Sequence, residues 1–327
     1  MGETMWAVVV TDDQPLKIGQ VEKPACGPND VLVEVMTAGL NRADLVQRMG
    51  LYPPPPGASE IMGLECAGTV VAVGSDVSDW AIGDRVCGLL AGGGYAEFTL
   101  IDQGSLFKIP DGMSFNEAGA LPEVMMTVWA NIFDRCQFKP GEAVLIHGGT
   151  SGIGTMAIQM LKTAGASKIM ITAGTAEKCR YAESLGADVA INYREDDFEQ
   201  AVREAGGADI ILDMVGGDYV QKNISVAKVG GRIVNIAYMQ GPKVELNLLP
   251  LMLKRLILTG TTLRARPNSE KQRIRDAVLA DFWPSVLSGE IKPVIDTVYS
   301  FEQAETAQAH MGKGGHIGKI LLSRQQS

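Results

Sequence analysis

Along the first third of the chain, apolar residues fall in short runs separated by turn signals. Trp6–Val10 is one run. Val31-Leu32-Val33-Glu34-Val35 nearly alternates and follows the turn Gly27-Pro28-Asn29-Asp30. Thr69–Val73 stops at Gly74, and Ile82-Gly83-Asp84-Arg85-Val86 reads as a tight turn entering a strand. Tyr95–Leu100 follows three glycines. Many short strands bounded by such punctuation predict an irregular barrel or sandwich. Pro53–Pro56 must be extended, because each ring fixes φ and removes an N–H.

From about residue 141 the rhythm changes to strict strand–helix alternation. The pattern predicts strands over Ala143–His147, Lys168–Thr172, Val189–Tyr193, Asp209–Asp213 and Arg232–Ile236. Helices are predicted over Gly152–Ala164, Glu177–Leu185, Asp197–Glu204 and Tyr219–Lys228, the last closed by Gly230-Gly231. A helix near Leu246–Arg255 and a strand Leu256–Thr261 would complete six strands. Such alternation predicts an α/β, doubly wound parallel sheet. Beyond Arg264 the rhythm stops. A longer helix over Asn268–Leu287, strands Val294–Val298 and Gly318–Leu322, and a helix over Phe301–His310 read as a tail returning to the first domain.

Composition narrows the function. The 327 residues suggest two domains, and 46% hydrophobic with 20% charged residues is globular. The net charge of −9 without a basic cluster argues against nucleic acid as main partner. Ala143–Leu161 carries no charge, but its four glycines fit a buried strand–turn–helix better than a membrane span. Met1-Gly2-Glu3-Thr4 is acidic and precedes no signal-type core. Gly2 could start a myristoylation signal, but Trp6 stands where Ser or Thr is needed. Five dispersed cysteines without a CxxC exclude the common structural zinc spacing. They fit packing residues kept reduced in a cytoplasmic setting.

The sharpest local signal is His147-Gly148-Gly149-Thr150-Ser151-Gly152-Ile153-Gly154. It follows a strand and opens a helix, where glycines admit a pyrophosphate and the helix N-terminus offers N–H groups. Ser151, Gly152, Ile153 and Gly154 are candidate cofactor contacts; the alternative is a connection that merely packs helix on strand. About 20 residues on, an NAD site would carry an acid for the ribose hydroxyl. This chain has Thr172-Ala173-Gly174-Thr175, then Lys178 and Arg180, with Tyr193 ending the next strand. Gly174, Thr175, Lys178 and Tyr193 therefore suit a 2′-phosphate and point to NADPH. The competing reading makes Lys178 and Arg180 a solvated helix face.

These residues, with Gly39-Leu40-Asn41-Arg42-Ala43-Asp44, resemble the medium-chain dehydrogenase/reductase superfamily. Gly63-Leu64-Glu65, Leu121-Pro122-Glu123 and Gly318-Lys319-Ile320 match as well. Leu40–Ser59, with Tyr52 before the prolines, is similar to the zinc-free, zeta-crystallin-like NADPH:quinone reductases. The resemblance implies a GroES-like barrel domain over 1–124 and 266–327 and a Rossmann NADPH domain over 125–265, with the cofactor in the cleft between them. It implies that Thr127 touches the nicotinamide carboxamide, that Tyr238 and Leu263 line the cleft, and that His316 closes it. His316 also reads as an exposed histidine among glycines.

Zinc-dependent relatives carry a Cys where this chain has Asn41 and His-Glu where it has Leu64-Glu65, so the resemblance implies chemistry without metal. Asn41 and Tyr52 are then the expected hydrogen-bond donors to the oxygen that gains charge as hydride arrives. Asn41 also reads as a turn residue and Tyr52 as a ring packed on the prolines. Asp44 reads as a structural loop holder. The expected substrate is a quinone, with an activated alkene (enone or enoyl thioester) as the alternative. A non-enzymatic NADPH-binding crystallin-like protein is the other alternative. The edge strand near 256–262 is expected to pair two copies into a homodimer.

Overall fold

The computed structural model describes residues 2–10 and 15–324; Met1, in the acidic start, lies outside them. The chain divides into two units. One comprises Met1–Met126, Leu263–Asp281 and Lys292–Ser327, the other Thr127–Thr262 and Phe282–Ile291.

In the first unit β1 (Thr4–Val9) and β2 (Lys17–Glu22) form an antiparallel pair. Then follow β3 (Asp30–Gly39), α1 (Arg42–Arg48), β4 (Glu65–Val73), β5 (Arg85–Leu89), β6 (Phe98–Asp102) and β7 (Leu106–Lys108). The short helices α2 (Phe115–Ala118) and α3 (Pro122–Val128) close this stretch, and α3 continues into a π-helical segment, Trp129–Arg135.

The second unit alternates β8 (Ala143–His147), α4 (Gly152–Thr163), β9 (Lys168–Ala173), α5 (Ala176–Leu185), β10 (Val189–Asn192), α6 (Phe198–Glu204), β11 (Ala208–Asp213), α7 (Tyr219–Val226), β12 (Ala227–Asn235), α8 (Leu249–Leu253) and β13 (Ile257–Gly260). All six strands are parallel, in the order β10-β9-β8-β11-β12-β13. The order reverses between β8 and β11, which is where open α/β sheets bind ligands, beyond the strand C-termini. Leu145, Met170, Ile211 and Ile233 fill the core under this sheet.

The tail supplies α9 (Asn268–Asp281), α10 (Trp283–Leu287), β14 (Ile295–Tyr299), α11 (Ala304–Lys313) and β15 (Lys319–Ser323). In the first unit the large sheet runs β14-β15-β3-β4-β5-β7, with β6 also on β3. The last strand thus lies against β3 near the start of the chain, antiparallel, with Leu321 opposite Gly39. Val31, Val33, Val35, Leu40, Ile320 and Leu322 share one core.

Several elements depart from the sequence pattern for identifiable reasons. The helix expected to reach Lys228 ends at Val226, and Gly230-Gly231 lie inside β12 rather than capping a helix. Lys254 Nζ donates instead to the carbonyls of Ile224, Ser225 and Ala227. A bulge between Ala208 and Ile210 absorbs the glycines. The helix expected over 268–287 breaks at Phe282, because Pro284 in the first turn of α10 has no N–H to continue it. After the break, Phe282–Ile291 belong with the second unit. The helix near 246–255 shrinks to α8, where Pro250 again sits in the first turn. β2, β7 and α1 to α3 were not signalled by the pattern at all. They are short, and α1 depends on caps rather than an apolar stripe.

Candidate active site

The glycine-rich stretch joins β8 to α4 at the reversal of strand order. Ser151 N-caps α4, its Oγ accepting the Gly154 amide at 3.0 Å. A Cβ at Gly154 would stand 2.4 Å from the Gly148 carbonyl, so only glycine lets the helix start this close to the loop. The result is a helix of 12 residues whose first turn (Gly152, Ile153, Gly154) carries no bulky polar side chain and starts just after the C-terminal end of β8, with the Gly152 and Ile153 N–H groups beside the Gly154 N–H that Ser151 caps. This suits a pyrophosphate.

Beside it, Thr175 caps α5 by accepting the Lys178 amide at 3.2 Å; its hydroxyl proton stays available. The Tyr193 hydroxyl lies 2.7 Å from where a Cβ on Gly174 would stand. Gly174, Thr175 and Tyr193 are therefore together at the ends of β9 and β10, with Lys178 one turn into α5. Arg180 is two residues further on, exposed, round the helix from Lys178. No acidic side chain stands at 172–175, where a site for a ribose hydroxyl would carry one.

The floor of this site is a polar network that sequence reasoning missed. His147 Nε2 meets Asn223 Oδ1 at 2.8 Å and its Nδ1 meets Thr172 Oγ1 at 3.1 Å. Asn223 and Asn235 both donate to Asp213 Oδ2, whose Oδ1 accepts the amides of Val215 and Gly216. Burial pushes the His147 pKa down, so the ring is neutral here. Tyr238 is half exposed, its ring near Gly216, and Thr127 is buried in the last turn of α3.

In the first unit Asn41 N-caps α1. Its backbone N–H donates to Asp44 Oδ2 at 2.7 Å, and Asp44 also accepts from the Tyr95 hydroxyl and the Gly63 amide. Asp44 thus holds the loop, as its sequence position suggested. Complete burial raises its pKa to about 6, against the lowering effect of those bonds and of Lys319.

The Asn41 side chain faces an ion pair. Lys319 Nζ donates to Asn41 Oδ1 at 2.7 Å, to the Leu40 carbonyl at 2.7 Å and to Glu65 Oε1 at 2.6 Å. Asn41 Nδ2 donates to Glu65 Oε1 at 3.1 Å and, at the long limit of 3.4 Å, to the Gly39 carbonyl. Glu65 Oε2 accepts the Glu123 amide. Glu65 and Lys319 are both buried. An ammonium stands against Asn41 and Glu65, and its charge repels a divalent cation. These residues do not fit zinc.

Tyr52 lies in the same unit under Arg264. The guanidinium sits 5.3 Å from the ring centroid and donates to the Tyr52 and Ala91 carbonyls and to Gln47 Oε1. Burial raises the Tyr52 pKa, and Arg264 opposes the rise. Arg264 was not singled out from the sequence; Leu263 precedes it on the same turn. His316 stands half-buried before β15, its ring 6.0 Å from that of His310. The structure places Asn41, Tyr52, Leu263 and His316 in the first unit and the remaining expected site residues in the second.

Two family models match the chain: "Alcohol dehydrogenase GroES-like domain" over residues 27–111 and "Zinc-binding dehydrogenase" over 152–279. The chain is 30% identical over 321 residues to quinone oxidoreductase-like protein 2 of Rattus norvegicus, covering 97% of this chain and 91% of that protein. It is 32% identical over 321 residues to the synaptic vesicle membrane protein VAT-1 homolog of Danio rerio, covering 93% of this chain and 66% of that longer protein. Among solved structures, a quinone oxidoreductase of Pseudomonas syringae pv. Tomato DC3000 is similar with a TM-score of 0.84 at 30% identity, covering 99% of this chain and 100% of that one.

Proposed function

The chain belongs to the medium-chain dehydrogenase/reductase superfamily, and from that premise we propose that it is an NADPH-dependent quinone reductase working without metal. The observation that carries this reading is the Lys319–Glu65 pair beside Asn41. With an ammonium instead of a Lewis acid, the site offers an acceptor only hydrogen bonds. The acceptor must then be electrophilic on its own account, as a quinone is.

Bound NADPH supplies a hydride from nicotinamide C4. The amides of Gly152 and Ile153 would hold the pyrophosphate, with Ser151 and Gly154 shaping the turn, and Thr175, Lys178 and Tyr193 would hold the 2′-phosphate. Tyr52 Oη and Asn41 Nδ2 donate to the oxygen that becomes negative as the hydride arrives. Thr127 and Tyr238 of the second unit would contact the nicotinamide half, and Leu263 and His316 of the first unit are assigned to the same role. The quinone oxidoreductases among the similar proteins support the substrate class.

Two further parts of the reading concern assembly and compartment. β13 is the outer strand of its sheet; its residues Ile257 and Leu258 are exposed, as are Met252 and Leu253 of α8 before it. This edge pairs with a second copy to give a homodimer. All five cysteines are free and most are buried, which suits a reducing cytoplasm. Among the described residues no helix is long and apolar enough to cross a membrane.

Steady-state turnover of 1,2-naphthoquinone, trans-2-hexenal and crotonyl-CoA, each with NADPH and with NADH, tests the reading. Naphthoquinone with NADPH is expected to give the highest kcat/KM. A preference for crotonyl-CoA would move the protein to the enoyl reductases, and turnover of none of them would remove the enzymatic reading.

A further inference from the structure

Lys319 and Glu65 form a buried ion pair that neither cofactor binding nor hydride transfer directly requires. We propose that Lys319, together with Glu65, is a positioning residue that locks the Asn41 carboxamide so that one of its N–H groups is kept for the acceptor oxygen. The proposal rests on the quinone-reductase reading.

A carboxamide has two orientations that exchange oxygen and nitrogen, and its terminal torsion is soft. Here both charges select the same one. The ammonium faces Oδ1 at 2.7 Å and the carboxylate faces Nδ2 at 3.1 Å. The flipped amide would set NH2 against NH3+ and oxygen against carboxylate. The three donors of Lys319 are all engaged, by Leu40 O, Asn41 Oδ1 and Glu65 Oε1, so the ammonium cannot swing away without losing charge-assisted bonds. The backbone of Asn41 is fixed independently through Asp44.

The two N–H groups of Asn41 are unequal. One is held by Glu65, and the other has the Gly39 carbonyl at 3.4 Å, long enough to be exchanged for a better acceptor. Gly39 makes the arrangement possible, since a Cβ there would stand 2.3 Å from Glu65 Oε1. Apolar side chains of similar volume often replace a buried ion pair at little cost to stability. Orientation of the neighbouring amide is what such a replacement would lose.

Three proteins test this beside wild type: Asn41→Ala, the paired Lys319→Met/Glu65→Met, and the triple combination. Lys319→Met alone leaves Glu65 buried without its partner and is at risk of not folding. The paired change removes both charges together. Stopped-flow mixing of NADPH-loaded protein with 1,2-naphthoquinone reads one hydride transfer, and fluorescence titration reads NADPH affinity. The paired variant is expected to lose about tenfold in transfer rate, as Asn41→Ala does, with NADPH affinity unmoved. The triple variant is expected to be no slower than Asn41→Ala alone. A wild-type rate in the paired variant, or losses that multiply in the triple variant, would overturn the role of Lys319 while leaving quinone reduction intact. A wild-type protein that reduces neither naphthoquinone nor trans-2-hexenal would overturn the parent reading and this one with it.

Discussion

The guanidinium of Arg264 lies 5.3 Å over the ring of Tyr52 and donates to its carbonyl at 3.1 Å across 212 residues of sequence. A side chain just before α9, in the same unit as Tyr52, thus sets the posture of the loop before the prolines. The cation also favours the ionised phenol, which burial disfavours.

Tyr52→Phe is therefore expected to lower single-turnover hydride transfer about tenfold, near 1.4 kcal/mol, with NADPH affinity unchanged. A less reactive enone should suffer more than a quinone. Arg264→Met should move the Tyr52 phenol to still higher pKa, read as a later ultraviolet titration step that Tyr52→Phe abolishes. Unchanged transfer rates for both acceptors in Tyr52→Phe would take this hydroxyl out of the reaction.

Lys178→Ala is expected to raise the KM for NADPH roughly ten- to hundredfold, the worth of one charge-assisted contact of about 1.5–3 kcal/mol. The KM for NADH should barely move, because that cofactor lacks the 2′-phosphate. Equal losses with both would place Lys178 on the solvated helix face instead.

Asp44 gives the fold a pH dependence with a definite sign. Its carboxyl stays protonated up to about pH 6 in the native state but ionises near its ordinary 3.8 when unfolded. Between these values the native state binds the extra proton. Its contribution, about 3 kcal/mol at most, is full below 3.8 and is lost as pH rises through 6. Asp44→Asn cannot titrate. The stability of wild type relative to this variant should fall between pH 4 and pH 7, as followed by thermal melting. A constant difference across that range would contradict the assignment.

The homodimer reading predicts a light-scattering mass of twice the 34.9 kDa chain. Leu258→Asp, at the exposed edge of β13, should return it to one chain without unfolding it. A single-chain mass for wild type across micromolar concentrations would refute the pairing. Prolonged chelation should leave quinone turnover unchanged, whereas recovery on adding zinc would contradict the metal-free site.

The second unit was largely legible in sequence because its parallel strands are continuous apolar runs and its helices carry caps next to glycine stops. Ala143–His147 coincides with β8, and Ser151 marks the start of α4. The first unit was less legible: β2 alternates half-buried and exposed positions, and α1 has only two buried residues. At the site, Asn41 and Tyr52 stood out through their local motifs. Arg264 did not, and Lys319 entered only as part of the motif Gly318-Lys319-Ile320 with no role assigned, since their partners lie 173 or more residues away. A signal for Lys319 was nonetheless present. A lone lysine between Ile317 and the run Ile320-Leu321-Leu322 marks a cation inside a buried strand.

That strand has a consequence for how the protein is made. Glu65 leaves the ribosome 254 residues before Lys319. Until β15 docks along β3, the Glu65 carboxylate has only water and uncharged amides for partners, and the Asn41 amide has no cation to orient it. Throughout that interval of synthesis this corner is unfinished. Removing β15 takes Lys319 away from Glu65 and Asn41 while leaving the six strands β8 to β13 in the chain.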